Sequence, residues 1–370
     1  MARQRATPIG GYSIGLLADT HIGQGLNVHR VVRCVEWLRS LSPKPVAIVH
    51  AGDITISAEQ PSALDDWLEE IGREEEWILT CGNHDTEVEW AHDGDVPDRP
   101  HATIVDRYPE LFGGREWYTK DVHSARVIVT NNNSDCLATT GYSCYHNCNP
   151  PGERDAANPD HSGITVSGSV QRQWLDRAAA CPADWKMVVG HRALWVPYDT
   201  DPRPMNRGAR EAMRRPIELG VSLLFTGDVH VGALSGPWYP DQELRVPGTV
   251  GCYSLSLAGG YAVRQVDESV LPEGACLWSD GGTGALGICH AGALVFGGAK
   301  VRLLVYRVAA DDEEGSVVLE TDLERNPGSP PSGPPVCRES RTRRGRDGRI
   351  LSPTAAALED RDVAFGEIVS

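Results

Sequence analysis

The chain has 370 residues, of which 41% are hydrophobic and 23% charged, a composition typical of globular proteins. Its formal net charge of −16 would repel a polyanion, so we do not expect nucleic acid as a partner. No segment reaches the ~18 consecutive apolar residues that span a bilayer. The first residues also lack the apolar core of a secretory signal. We therefore expect a cytoplasmic protein without a membrane span, in which the cysteines are reduced.

Strand-like and helix-like patterns alternate along the first two thirds of the chain, from residue 12 to about residue 225. Short apolar runs predict buried strands, and apolar residues at helical spacing predict helices between them. The predicted helices cover residues 28–41, 61–71, 170–180 and 207–219, and a strand is predicted at 125–130. This alternation predicts a layered α/β domain.

The remainder of the chain differs from this pattern. Long polar loops interrupt it at residues 87–117 and 131–167, and β-like segments separated by glycine-rich turns follow residue 250. From residue 326 onward proline, serine, glycine and arginine dominate, and the apolar content is too low to build a core. We therefore predict one catalytic domain at residues 1–325 and a disordered tail at residues 326–370.

Polar residues that can bind metals follow five of the apolar runs. The five motifs are Asp19-Thr20-His21, Gly52-Asp53, Gly82-Asn83-His84-Asp85, Gly190-His191 and Gly227-Asp228-Val229-His230. An apolar run that ends in glycine and a ligand residue predicts a buried strand that places this residue at the edge of a sheet. We therefore expect all five motifs at one sheet edge. Asp19 and His21 would point to the same side of an extended segment, as would Asp228 and His230. Together the motifs predict a polynuclear metal site suited to phosphate ester hydrolysis.

The order of these motifs, all within residues 12–235, resembles the calcineurin-like metallophosphoesterases. Other matches resemble the purple acid phosphatases within that superfamily: Gln171-x-x-Trp174-Leu175, His191-Arg192-Ala193-Leu194-Trp195 and Pro237-Trp238-Tyr239-Pro240. The resemblance implies a layered β-sandwich flanked by helices, the α/β/β/α metallophosphoesterase fold. The sequence pattern alone predicts only a layered α/β domain.

The resemblance also implies a role for each site residue. One metal would be bound by Asp19, His21, Asp53 and His230, and the other by Asp53, Asn83, His191 and Asp228. His84 would stabilise the phosphate or protonate the leaving group, and Asp85 would orient His84. Asn131 and Trp195 are predicted to contact the substrate, although ordinary loop capping explains Asn131 equally well.

Two positions depart from the family pattern. The family usually has histidine where this chain has Asp228, and a carboxylate there favours Mn, Fe or Mg over a softer ion such as Zn. The purple members have a tyrosine three residues after the bridging aspartate, where this chain has Ile56. Without that phenolate we expect a colourless protein.

These observations predict a phosphoric ester hydrolase that uses two divalent metal ions, from among Mn, Fe, Mg and Zn. The favoured reaction is that of an acid phosphatase, in which a metal-bound hydroxide attacks a small phosphate monoester. One alternative is a phosphodiesterase acting on small diesters such as cyclic nucleotides. Another is a metal-stabilised binding scaffold whose second metal site is impaired by Asp228. The sequence leaves the oligomeric state open.

Overall fold

The computed structural model describes residues 11–22, 28–55, 74–82, 85, 117–131, 164, 169–192, 194, 204–238, 251–259, 276–280, 287–297, 300–309 and 314–328. Within these ranges the helices are α1 (Val28–Ser40), α2 (Val170–Ala180) and α3 (Pro204–Glu218). The strands are β1 (Tyr12–Leu17), β2 (Pro45–His50), β3 (Glu76–Leu79), β4 (Tyr118–Val122), β5 (Ala125–Val129), β6 (Trp185–Gly190), β7 (Leu223–Thr226), β8 (Gly232–Trp238), β9 (Cys252–Ser256), β10 (Cys276–Asp280), β11 (Cys289–Phe296), β12 (Val301–Val308) and β13 (Ser316–Leu323).

The strands form two mixed sheets. The first sheet has the order β13-β12-β11-β1-β2-β3, and the second has the order β10-β8-β9-β7-β6-β5-β4. In the first sheet β1, β2 and β3 are parallel, while β11 joins β1 in the antiparallel direction. In the second sheet β5, β6, β7 and β9 are parallel. Each sheet thus has a block of parallel strands whose carboxyl ends share one edge.

The main core lies between the two sheets. Ile14 and Leu16 of β1 pack in it together with Val189 and Phe225 of the second sheet. Leu17 belongs instead to the cluster that covers the outer face of the first sheet. All six residues of β1 are buried, which is the expected result for a strand covered on both faces.

Helices cover the outer faces of both sheets. On α1 the buried residues Val31, Cys34, Val35 and Leu38 follow the i, i+3, i+4, i+7 spacing and pack on the first sheet. Helices α2 and α3 pack on the outer face of the second sheet. Within that sheet, Lys186 of β6 donates hydrogen bonds to Ala179 O and Leu219 O, at 2.7 and 2.8 Å, near the ends of both helices.

The architecture confirms the predicted α/β/β/α fold, with one correction. The strands that precede the metal-binding motifs lie in two sheets, since β1, β2 and β3 belong to the first and β6 and β7 to the second. The expectation that all five motifs lie at a single sheet edge is therefore wrong.

The predicted helices at 28–41, 170–180 and 207–219 correspond to α1, α2 and α3, while 61–71 lies outside the described residues. No helix in the described part of the chain is long and apolar enough to cross a membrane.

The cysteines follow the sequence-based expectation only in part. Cys34, Cys81, Cys252, Cys276 and Cys289 are not in disulfide bonds. Cys181, directly after α2, is disulfide-bonded. The expectation that all cysteines are reduced is therefore wrong at Cys181.

The described chain continues three residues past the predicted domain boundary. Asn326 is buried, and its side-chain amide donates to Ile217 O at 2.7 Å and to Val221 O at 3.0 Å. Its backbone N–H donates to Ser222 Oγ at 3.0 Å. These bonds join the chain after β13 to the segment between α3 and β7. Residues 329–370 lie outside the described residues.

Candidate metal centre

Two loops leave the first sheet side by side at the carboxyl ends of β1 and β2. The Asp19 N–H donates to Gly52 O at 3.0 Å, and the His21 N–H donates to Asp53 O at 3.0 Å. The loops therefore continue the parallel pairing of the two strands beyond the residues where the strands end. This pairing holds Asp19, His21 and Asp53 in register, and all three are buried.

The backbone is left-handed at five candidate ligands. The φ angles are 51° at Asp19, 43° at His21, 50° at Asp53, 63° at Asp228 and 53° at His230. The expectation that residues 19–21 and 228–230 are extended is therefore wrong. Non-glycine residues seldom adopt positive φ, and those that do are concentrated at functional sites. The presence of five such residues among the candidate ligands therefore indicates a functional site.

Four of the predicted ligands converge on one point. Single ligand atoms of Asp19, His21, Asp53 and His230 all lie within 4.8 Å of one another. Two carboxylate oxygens and two imidazole nitrogens suit a first-row divalent ion. One of these oxygens, Asp19 Oδ2, is buried and accepts no hydrogen bond from the described residues, which fits a place beside a cation. The same four residues are those that the family resemblance implies for one metal.

Asp53 and His191 link this cluster to the second sheet. The Nε2 atoms of His191 and His21 lie 3.2 and 3.7 Å from the same oxygen, Asp53 Oδ2. His191 Nδ1 lies 3.0 Å from Ala51 O, and because a carbonyl only accepts, Nδ1 carries the hydrogen. That bond turns His191 Nε2 toward Asp53, the orientation that a metal-binding histidine requires. Asp53 thus stands between the ligands from the two sheets.

The electrostatics of the centre favour a bound cation. Burial raises the pKa of Asp19 well above its usual value, and the charge of Asp53 raises it further against the opposing effect of His191. Burial by itself would lower the pKa of His191, but Asp53, Asp19 and Asp228 together raise it to about 10. The buried carboxylates therefore attract positive charge, and a divalent cation would supply it in place of the His191 proton.

Asp228 enters the centre from the loop after β7 and is paired with an arginine. Its N–H donates to Asp19 Oδ1 at 3.0 Å, so this loop is attached to a ligand of the first sheet. Its Oδ1 accepts a hydrogen bond from Arg192 Nη1 at 2.7 Å and lies 4.0 Å from His191 Nε2. Burial would raise the pKa of Asp228, but Arg192 and His191 lower it below its usual value. Asp228 is therefore a charged carboxylate beside His191.

Asp85 joins the loops after β2 and β3. Its Oδ1 accepts hydrogen bonds from the N–H groups of Ile54 and Thr55, both at 3.0 Å. Its Oδ2 accepts from Gly82 N–H at 2.8 Å. Burial, followed by the charge of Asp53, raises the pKa of Asp85. Among the described residues Asp85 thus fixes the backbone beside Asp53, while its predicted partner His84 lies outside them.

The other predicted site residues are described only in part. Asn83, Trp195 and Ile56 lie outside the described residues. Asn131 follows β5 and is buried. Gln171 of α2 binds its backbone at both groups, accepting from Asn131 N–H at 2.9 Å and donating to Asn131 O at 2.8 Å. These two hydrogen bonds to α2 fix the backbone at Asn131. The contact of Asn131 with substrate stays a prediction.

Sequence reasoning assigned no role to two residues beneath the centre. Thr20 Oγ1 donates to Ile54 O at 3.1 Å, so it must accept from His50 Nε2, which lies 3.0 Å away. Burial, and then His191, lowers the pKa of His50 to about 3 against the effect of Asp53, so this histidine is neutral. His50 and Thr20 therefore connect the two loops of the first sheet. The available signal was position, since Thr20 lies between two ligands and His50 ends the strand before Asp53.

Glycines allow the loops to approach the carboxylates. A Cβ at Gly82 would lie 1.9 Å from Asp53 Oδ1, and a Cβ at Gly259 would lie 1.8 Å from Asp19 O. Neither position can carry a side chain without moving the aspartate that it touches. The closing of the site therefore depends on glycine at both positions.

Comparison with known proteins agrees with this geometry. The model of the calcineurin-like phosphoesterase family matches residues 12–232, more than half of the chain. The structure is similar to that of purple acid phosphatase PPD1 from yellow lupin seeds, with a TM-score of 0.57 and 14% identity over 85% of this chain and 54% of the phosphatase. It is also similar to GAP50, the anchor in the inner membrane complex of Plasmodium, with a TM-score of 0.51 and 11% identity over 95% of this chain and 94% of that one. No curated protein matches the sequence.

At these identities the two solved structures establish the fold alone. This chain spans only about half of the lupin enzyme, whose length is 54% covered. The family match rests on the segment that contains β1, β2, β6 and β7 and the motifs that follow them. The chain therefore belongs to the calcineurin-like phosphoesterase family.

Proposed function

We propose that this protein is a phosphomonoesterase that uses two divalent metal ions. The observation that carries the proposal is the convergence of Asp19, His21, Asp53 and His230, whose ligand atoms lie within 4.8 Å of one another. His191 Nε2 lies 3.2 Å from Asp53 Oδ2 and 4.0 Å from Asp228 Oδ1, and these three residues would supply ligands to a second ion. Asn83 would complete this second set.

Divalent ions held in this way supply Lewis-acid polarisation of the phosphoryl oxygens and activation of water. The chain supplies the placement. Asp53 would be the ligand shared by the two ions, since the Nε2 atoms of His21 and His191 both approach its Oδ2. Ala51 O holds the His191 ring, and Asp85 holds the backbone at Ile54 and Thr55, next to Asp53. These supports keep the ligands fixed while charge develops on the substrate.

His84 would act on the phosphate itself. It lies between Asn83, a proposed ligand, and Asp85, whose carboxylate is anchored on the backbone of the neighbouring loop. Replacement of His84 by alanine should leave the metal content unchanged and slow the chemical step by roughly 10²–10⁴-fold. A loss that shrinks for substrates with good leaving groups would assign His84 as the acid, whereas an equal loss would assign it to charge stabilisation.

The proposal is tested by metal analysis of the purified full-length chain together with hydrolysis of p-nitrophenyl phosphate and bis-p-nitrophenyl phosphate. We expect close to two divalent ions per chain, loss of activity with a chelator, recovery with Mn²⁺, and faster hydrolysis of the monoester. A protein that binds no divalent ion, or that turns over neither substrate when loaded, would contradict it.

Small diesters are the second candidate substrate, because the family name covers phosphoesterases in general. A diester carries less negative charge than a monoester and is repelled less by the surplus of acidic residues in this chain. The same two-substrate measurement separates the two functions.

A binding scaffold is the candidate outside catalysis. It is favoured by the pairing of Asp228 with Arg192, which occupies an oxygen of a proposed ligand. One similar structure belongs to a protein described as an anchor. A scaffold of this kind would hold one ion tightly, lose thermal stability when that ion is removed, and hydrolyse neither substrate.

A further inference from the structure

Arg192 lies directly after the proposed ligand His191, at the carboxyl end of β6. Its side chain is 5% exposed, and that of Asp228 is 26% exposed. An ion pair so largely shielded from water is weakly screened, so its partners compete strongly with any other charge that approaches.

The Asp228 oxygen that is bound by Arg192 is also the oxygen that lies near His191, the other proposed ligand of the second sheet. Asp228 Oδ1 lies 2.7 Å from Arg192 Nη1 and 4.0 Å from His191 Nε2. Two ligands that share one ion, each about 2.0–2.2 Å from it, are separated by up to about 4 Å. The 4.0 Å between Asp228 Oδ1 and His191 Nε2 is therefore at the upper limit for two ligands of one ion, and Arg192 already binds one of them.

We propose that Arg192 is a positioning residue that competes with the second metal ion for Asp228 Oδ1, so that the two ions bind in order. The ion at Asp19, His21, Asp53 and His230 binds first. The second binds more weakly because it must share or displace the Arg192 hydrogen bond and bind close to a fixed positive charge. This inference rests on the proposed two-ion centre and concerns how that centre is filled.

The arginine also accounts for the departure at Asp228. A carboxylate in place of a neutral imidazole adds one negative charge to a centre that already contains Asp19 and Asp53. Arg192 offsets that charge while the second metal position is empty. Removal of Arg192 would leave the Asp228 carboxylate without its positive partner. The positive charge of Arg192 thus takes the place of the charge of the second ion until that ion binds.

The test is Mn²⁺ binding to the full-length chain after chelation, followed by calorimetry and by electron paramagnetic resonance, which distinguishes an isolated Mn²⁺ from a coupled pair. In the wild type we expect a tight step and a weaker step, with the coupled signal appearing only at the weaker one. Arg192→Gln should tighten the weaker step by about tenfold or more, since a nearby unit charge at a shielded site is worth at least that factor. The tight step should not change.

Three further variants act as controls. Arg192→Lys keeps the positive charge and should keep the weak second step. Arg126→Gln breaks another arginine–aspartate pair, between Arg126 of β5 and the exposed Asp121 of β4 at 2.7 Å, and should change neither step. In an Asp228→Asn background the gain from Arg192→Gln should shrink, because the shared carboxylate charge is gone.

The outcomes separate this inference from the function on which it rests. If the wild type binds no Mn²⁺, the proposed metal centre fails. If it binds Mn²⁺ but Arg192→Gln leaves the weaker step unchanged or weakens it, the competition is wrong and Arg192 instead supports Asp228 as a ligand. A wild type that shows only the tight step supports the inference if Arg192→Gln reveals the second, and overturns it otherwise.

Discussion

The described candidate ligands of the first sheet are buried, whereas two of the three candidate ligands of the second sheet are partly exposed to solvent. Asp19, His21 and Asp53 are at most 1% exposed. The side chains of Asp228 and His230 are 26% and 12% exposed. Two loops paired through their backbones carry the first group, while the loop that carries Asp228 is attached through Asp19 Oδ1.

This difference in solvent exposure shows that the two sheets contribute differently to one site. The first sheet supplies a fixed half, supported from below by His50, Thr20 and Asp85. The second sheet supplies the docked half, His191, Asp228 and His230, which is attached to the first sheet through the Asp228 N–H bond to Asp19. In this half Arg192 offsets the negative charge of Asp228. A change at Asp53, the proposed shared ligand, should therefore affect the whole centre, and a change at a candidate ligand of the second sheet should affect one ion.

The sharpest test of this division is Asp53→Ala, which should abolish activity and release both ions. Asp53 Oδ2 is approached by ligands from both sheets, so no other side chain replaces it. Metal analysis and turnover of p-nitrophenyl phosphate measure the effect. Asp53→Asn is the control, because asparagine tolerates a positive φ and removes only the charge. Full occupancy by two ions in the alanine variant would show that Asp53 is not the shared ligand.

Asp85→Ala should lower the free energy of unfolding by about 3 kcal/mol or more, since three buried N–H groups would lose their acceptor. Urea denaturation of the metal-free chain measures the loss separately from metal binding. Asp121→Ala, at a 49% exposed carboxylate, should change stability far less. If the two variants were equally stable, Asp85 would not be the support that joins the two loops.

Asp228→His should change the docked half alone. Imidazole is the softer ligand and removes one negative charge, so the preference for Mn²⁺ should shift toward Zn²⁺ by about tenfold at the weaker binding step. Competition dialysis with both ions measures this shift.

The native protein should be colourless in the visible spectrum. Ile56→Tyr should introduce a charge-transfer band when iron is bound. A purple native protein would contradict the reading of position 56.

The smallest effect is expected at the end of the chain. Deleting residues 329–370 should leave the melting temperature and the activity nearly unchanged, because their composition lacks the apolar residues to build a core. Deleting from residue 326 should lower the melting temperature, because the bonds of Asn326 to Ile217, Val221 and Ser222 would be lost. A large loss on the shorter deletion would mean that the tail packs on the domain.

The sequence predicted the fold class and the residues that converge, because both depend on local patterns. The runs before Asp19, Asp53, His191 and Asp228 are short, apolar and followed by polar residues, which is the signature of parallel strands. The division into two sheets was not predictable in this way, because it depends on pairings between distant segments. One such pairing is β1 with β11, which joins residues at opposite ends of the domain.

Two features of the site also escaped the sequence for physical reasons. The left-handed backbone at Asp19 and His21 follows from the pairing of two loops, and the identities of these residues do not indicate it. The bond between Arg192 and Asp228 joins the loops that follow two neighbouring strands, β6 and β7, and its partners are 36 residues apart in the sequence. Contacts of this kind have no periodic pattern and become visible only in the folded chain.

The left-handed turns at the five candidate ligands have a consequence for how quickly the centre fills. Hydrogen bonds within the fold set these turns, so the ligands are in place before an ion arrives and little conformational entropy remains to be lost on binding. The rate of loading should then be governed by the exchange of water on the incoming ion, and the first ion to arrive should find a cavity whose walls hardly move.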